Sequence, residues 1–119
     1  MKKFISIMLV AAMAVTALTG CGSNSGSSSK KDADKYYIGG IGPTTGATAI
    51  YGTAVKNGAQ IAVDEINAAG GINGKQIEYR FEDDQNDAEK AVNAYNTLKD
   101  WGMQMLVGTT TTAPCIAVA

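Results

Sequence analysis

Two rhythms of apolar and polar residues divide this chain. Tyr37 to Ile41 is a short, largely apolar run that opens into a Gly/Pro/Thr loop, the pattern of a buried strand. Further on, Val55, Gly58, Ala59, Ala62, Ile66 and Ala69 recur at the i, i+3, i+4, i+7 spacing of a helix laid on a core. Lys56, Asn57, Gln60, Asp64 and Asn67 fall on the opposite, wet face. A glycine inside a helix costs about 1 kcal/mol. Gly58, on the apolar face, is therefore read as the point where helix and sheet approach closely. Gly70 supplies the left-handed position that ends a helix, and Gly71 begins the return. From Gln76 to Glu82 the period becomes two: Ile77, Tyr79 and Phe81 alternate with Gln76, Glu78, Arg80 and Glu82. A strand with one wet face belongs near a sheet edge. Asp83 and Asp84 end it. Asn86-Asp87-Ala88-Glu89 then reads as an N-cap at Asn86 with a reciprocal acid at Glu89. The second helix presents Ala88, Ala91, Val92, Tyr95 and Leu98 on one face and stops near Asp100 to Gly102, with Tyr95 and Trp101 packing around its end. Met103 to Val107 is more uniformly apolar and reads as a third, more central strand. Gly108 and Thr109 to Thr112 make a turn, and Pro114 suits the first turn of a third helix.

Strand, helix, strand, helix, strand predicts the α/β class: a partial doubly wound parallel sheet, βαβαβ, in the order 2-1-3. In that order the loops Gly42–Gly46 and Thr109–Thr112 border one crevice beyond the C-terminal ends of the strands, where such sheets bind ligands. Both loops are rich in hydroxyls and uncharged. The second leads into a helix N-terminus, whose free N–H groups favour a carboxylate. Threonines also cap helices and form turns. Asp83 and Asp84 fit turn and cap duty better than contact with a ligand ammonium. Cys115 reads as a small buried hydrophobe.

Composition narrows the chemistry. Ten basic residues stand against eleven acidic ones in 119, so no basic stripe invites nucleic acid. The absence of histidine removes the commonest general base and the commonest metal ligand. Cys21 and Cys115 have no zinc spacing. No metal, no cofactor and no catalytic group is expected. The first loop, Gly40 to Gly46, is a GxGxxxG with Pro43 where N–H groups should meet a pyrophosphate. No acid follows a second strand about 20 residues on, which argues against a dinucleotide enzyme.

The beginning of the chain is a separate matter. Lys2 and Lys3 precede an apolar stretch, Phe4 to Leu18, too short for the ~20 residues of a membrane span, so residues 1–20 read as an export signal. Leu18-Thr19-Gly20-Cys21 resembles a bacterial lipobox. That resemblance implies lipid on the Cys21 sulfur, cleavage before it, and a protein held on the extracytoplasmic face of the cell membrane. Residues 21–35 form a Gly/Ser/Lys tether that cannot build a core. Residues 36–119, roughly 85 of them, are the part able to fold.

Within that part, GPTTGATAIYG and AVDEINAAGGINGKQIEYRFEDDQND resemble the N-terminal lobe of type I solute-binding proteins of ABC transporters. Among those they are similar to the branched-chain amino-acid (Leu/Ile/Val) binding family, most specifically from Asp64 to Gly74. The resemblance implies a type I periplasmic-binding-protein fold and a free amino acid, branched-chain by preference, handed to an ABC permease. It places the carboxylate-binding hydroxyl on Thr112, lines the same pocket with Thr110 and Thr111, and packs Tyr51 against the ligand. Members of that family are much longer and have two lobes, so the chain is read as an N-terminal lobe truncated before the second. The acidic partner of the ligand's ammonium, and half the pocket, then come from the second lobe. A ligand-sensing domain of an exported receptor on the same fold is the alternative, as is a truncated product without binding activity.

Overall fold

The computed structural model describes residues 34–119, so the expected export signal, Cys21 and the expected tether up to residue 33 lie outside it. Six elements follow in order: β1 (Lys35–Gly42), α1 (Ala49–Ala68), β2 (Gln76–Asp83), α2 (Ala88–Trp101), β3 (Met105–Thr109) and α3 (Thr112–Val118). The strands are parallel and ordered β2-β1-β3, as the alternation of elements predicts. β1 therefore lies in the middle. Among the described residues β3 pairs with β1 alone. Met105 and Val107 turn outward on one face, 61% and 41% exposed, while Leu106 packs inward. β3 also begins two residues later than expected. Met103 fills the core, and Gln104 is tied to β1 twice: its N–H donates to the Tyr37 carbonyl (2.8 Å) and its side-chain oxygen accepts from the Tyr37 N–H (3.0 Å).

The core lies between β1 and the α2–α3 layer. Ile41, Ala91, Ala94 and Leu98 are buried there, with Tyr95, Trp101, Met103, Leu106 and Val118 packed against them. Trp101 meets the Tyr37 ring edge-on at 5.1 Å, so the aromatic end of α2 packs as the sequence suggests. β1 is thin where its two covers approach. A Cβ on Gly39 would stand 2.3 Å from the Met103 sulfur, and one on Gly40 would stand 2.6 Å from both the Phe81 ring and the Tyr79 hydroxyl.

α1 packs with a different face from the one predicted. Its buried residues are Gly52 and Val63, with Ala59 and Asn67 half-buried. That stripe is essentially the predicted one moved on by one residue, about 100° around the axis. Val55, Ala62, Ile66 and Ala69 are exposed. Gly58 faces open space, with nothing within 4 Å of a Cβ built on it. The close approach belongs to Gly52, whose Cβ would fall 1.9 Å from the Pro43 carbonyl oxygen. Asn67, assigned to the wet face, instead clamps β2. Its Nδ2 donates to the Ile77 carbonyl (2.8 Å) and its Oδ1 accepts from the Ile77 N–H (2.7 Å).

The ends of the helices are chemically explicit. Gly70 ends α1 as expected: its N–H reaches Asn67 O and the Gly71 N–H reaches Ile66 O, the paired bonds of a left-handed helix stop. Asn73-Gly74 then turns the chain with both residues at positive φ, bridged by Ile72 and Lys75, the primed turn that this dipeptide favours. At α2 the N-cap is Asp87, not Asn86. The Asp87 carboxylate accepts from the Lys90 N–H (2.9 Å), which puts Glu89 one position too early to reciprocate. Asn86 is excluded because, like Gln85, it sits in the left-handed region with φ 61°.

A candidate ligand edge at the C-terminal ends of the strands

The three strands finish at one edge, and main-chain bonds join their ends. The Thr110 N–H donates to Ile41 O (3.1 Å), and the Asp84 N–H donates to Gly42 O (3.3 Å). Asp83 ties the loop after β1 to the end of β2. Its carboxylate accepts from the Thr44 N–H (2.8 Å), the Thr45 hydroxyl (2.5 Å) and the Gln85 N–H (3.0 Å). Burial pushes its carboxyl up, but those hydrogen bonds outweigh burial and hold it below the usual carboxylate range. This is the turn duty expected of Asp83.

Asp84, next in sequence, has the opposite surroundings. It is 0% exposed. Oδ1 accepts from the Asn86 N–H (2.8 Å), whereas Oδ2 is buried without a partner among the described residues. Desolvation raises its carboxyl above the usual range, and the negative charges of Asp83 and Asp87 add to that.

The threonine run is divided among separate tasks. β3 carries a bulge: Gly40 pairs with Val107, but Ile41 pairs with Thr109. Gly108, at φ 48°, absorbs the extra residue. The bulge sets Thr109 beside Ile41, which faces the core, and the Thr109 hydroxyl is buried without a partner among the described residues. Thr110 spends its hydroxyl on Ile41 O (3.2 Å). Thr111 is the N-cap of α3, yet its side chain makes no capping bond, and its hydroxyl is also buried and unpaired among the described residues. Thr112 opens α3 and is exposed. By helix geometry the Thr112 and Ala113 N–H groups have no acceptor inside α3, and Pro114 has no N–H to offer.

Thr110, Thr111 and Thr112 are thus brought to the end of β1, as the predicted strand order requires. Tyr51 stands 62% exposed on the first turn of α1 and shares no hydrogen bond or ring contact with them among the described residues. Thr109, the first residue of the predicted loop, is instead the last residue of β3. Cys115 is exposed rather than buried, since α3 turns its Pro114 side inward. Among the described residues, no group of three or more His, Cys, Asp or Glu could hold a metal ion. A concavity of about 430 Å³ lies at the other end of the sheet, lined by Tyr36, Tyr37, Ile38, Ile72, Gln104 and Met105. Few polar groups converge there, so it does not compete with the C-terminal edge as a site.

Comparison with known proteins bears on this geometry. Residues 35–119 match the model of the periplasmic binding protein family. The Leu/Ile/Val-binding protein BraC3 of Rhizobium johnstonii is 44% identical over 82 residues, 69% of this chain and 22% of the relative. The leucine-, isoleucine-, valine-, threonine- and alanine-binding protein of Pseudomonas aeruginosa is 41% identical over 76 residues, 64% of this chain and 20% of the relative. Among solved structures, the branched-chain amino acid transporter substrate-binding protein LivJ of Streptococcus pneumoniae, crystallised with isoleucine, superposes with a TM-score of 0.67. It is 40% identical, over 71% of this chain and 24% of that one. The chain thus spans about a fifth of the length of the curated relatives it matches. Strand order, helix placement, the matched residues and these likenesses agree: the chain belongs to the periplasmic binding protein family.

Proposed function

We propose that this chain is the N-terminal part of a lipid-anchored solute-binding protein of an ABC importer. It takes a free amino acid, branched-chain by preference, for delivery to membrane permease subunits. The reading rests chiefly on the 40% identity and shared fold, over 71% of this chain, with a protein crystallised with isoleucine. In this reading the α-carboxylate meets the opening of α3, with Thr112 and the N–H groups beside it. Thr110 holds the turn in place, Thr111 lines the pocket and Tyr51 closes on the ligand from α1. The protein binds and releases without chemical change, needs no cofactor, and is held outside the cytoplasmic membrane by lipid on Cys21.

Calorimetry on the complete translation product of the gene tests the ligand. Leucine, isoleucine and valine should bind at least tenfold more tightly than aspartate, lysine or glutamine. Equal affinity for all six, or tighter binding of a charged amino acid, would refute the assignment. Metabolic labelling with palmitate tests the anchor: label should appear in the protein and vanish in Cys21→Ser.

A further inference from the structure

Asp84 takes no part in the proposed ligand contacts, and its Oδ2 is buried without a partner among the described residues. Asp84 lies at a joint between three parts. Its N–H holds the end of β1 at Gly42, its carbonyl accepts from the Asp87 N–H (2.9 Å) at the start of α2, and its Oδ1 shapes the turn through the Asn86 N–H. Pro43, just after Gly42, is fully buried as well. Oδ2 is buried and accepts no hydrogen bond from any donor among the described residues. A buried polar group without a partner is costly, and a charge far more so than a neutral O–H. The titratable groups on the surrounding elements offer no relief. Asp83 and Asp87 are acidic and the first turn of α2 adds Glu89. The Lys90 ammonium is engaged by Gln85 Oε1. The loop from Gly42 to Thr48 has no charged residue, and neither do the threonine run and α3, where Cys115 is exposed.

We propose that Asp84 is a proton-sensitive latch: protonated, it holds the loop after β1 and the start of α2 together, and ionised it releases them. The latch does not depend on what the loop binds. Its sign follows from linkage. A carboxyl favoured in its neutral form by the fold makes the closed joint most stable below its ordinary value of 3.8. That stability is lost as pH rises from there through the carboxyl's value in the folded protein. Asp83 has the opposite sign and acts below 3.8, so the two contributions separate along the pH axis.

Native-state hydrogen exchange on the full chain tests the latch. After correction for intrinsic rates, protection of the Asn86 and Asp87 amides should fall by up to about tenfold per pH unit as Asp84 ionises. In Asp84→Asn it should stay flat and exceed wild type at pH 7. Equal pH slopes in the two proteins, or lower protection in Asp84→Asn at pH 7, would overturn the latch. If that variant does not fold, carboxyl ¹³C titration of the wild type decides. A midpoint for Asp84 above 3.8 and above that of Asp83 supports the latch, and one at or below 3.8 overturns it.

Discussion

Gly52 and Gly58 sit in the same helix and should respond oppositely to the same change. By propensity alone, Gly→Ala in a helix gains about 1 kcal/mol. Gly58→Ala meets nothing within 4 Å, so it should realise that gain. A methyl on Gly52 would stand 1.9 Å from the Pro43 oxygen, 2.5 Å from its carbonyl carbon and 2.7 Å from its nitrogen. All three are backbone atoms, in a proline that is fully buried, so no rotamer change clears them. Either α1 lifts from the sheet or the loop after β1 is rebuilt. Forcing one methyl group into a packed site costs about 1–3 kcal/mol. A rigid backbone neighbour argues for the upper part of that range. Subtracting the propensity gain leaves a net loss of about 1–2 kcal/mol. For a domain of this size each kcal/mol moves Tm by about 4–8 °C. Thermal denaturation followed by circular dichroism should therefore show Gly58→Ala melting a few degrees above wild type and Gly52→Ala clearly below it. If Gly52→Ala is as stable as Gly58→Ala, the packing of α1 against Pro43 is wrong.

Three further outcomes are expected. Asn67→Ala leaves the Ile77 N–H and carbonyl without their clamp and should lower stability by about 1–3 kcal/mol in urea titration; an unchanged midpoint would show the clamp to be idle. In Asp83→Asn the amide cannot accept from both Thr44 and Thr45 as the carboxylate does, so the variant should lose the part of the stability that wild type sheds as pH falls below 3.8, and its acid limb should be flatter. Leucine should bind the 119-residue chain no better than millimolar, because a helix terminus gives a carboxylate about 0.3–1 kcal/mol, up to about 2 when partly buried, against about 8 for micromolar binding; micromolar binding in calorimetry would mean this edge is a complete pocket.

The topology could be read from the chain because it depends on features repeated many times over. Alternating strand and helix rhythms, Gly70 at a helix end and a polar-apolar alternation in β2 each point to one parallel βαβ layer. That layer sends the loops after β1 and β3 to the same edge. The rotation of α1 about its own axis could not be read. Ile50, Val55, Ile61, Val63 and Ile66 surround the helix, so periodicity favours no single stripe strongly. The choice falls to contacts distant in sequence: Pro43 against Gly52, and the Ile77 peptide groups against Asn67. The same limit explains Asp84. Nothing in Asp83-Asp84 says which carboxylate will gather three donors and which will be sealed in with one. The Asn73-Gly74 turn is the reverse case, a local signal that the periodic reading left unused.

The clamp at Asn67 also bears on the order in which the chain folds. Parallel pairing of β1 with β2 closes a crossover of about forty residues, so its loop entropy must be met before any ladder bond repays it. Asn67 and Ile77 are ten residues apart. The helix stop, the primed turn and the amide clamp can form among themselves, and together they deliver β2 to β1 already in register. A slip of one residue would turn Ile77 to the wrong face. Substitutions at Asn67 or Gly74 should therefore slow folding, with φ-values near the top of the range. Those at Gly52, where the loop seats late against the helix, should mainly hasten unfolding.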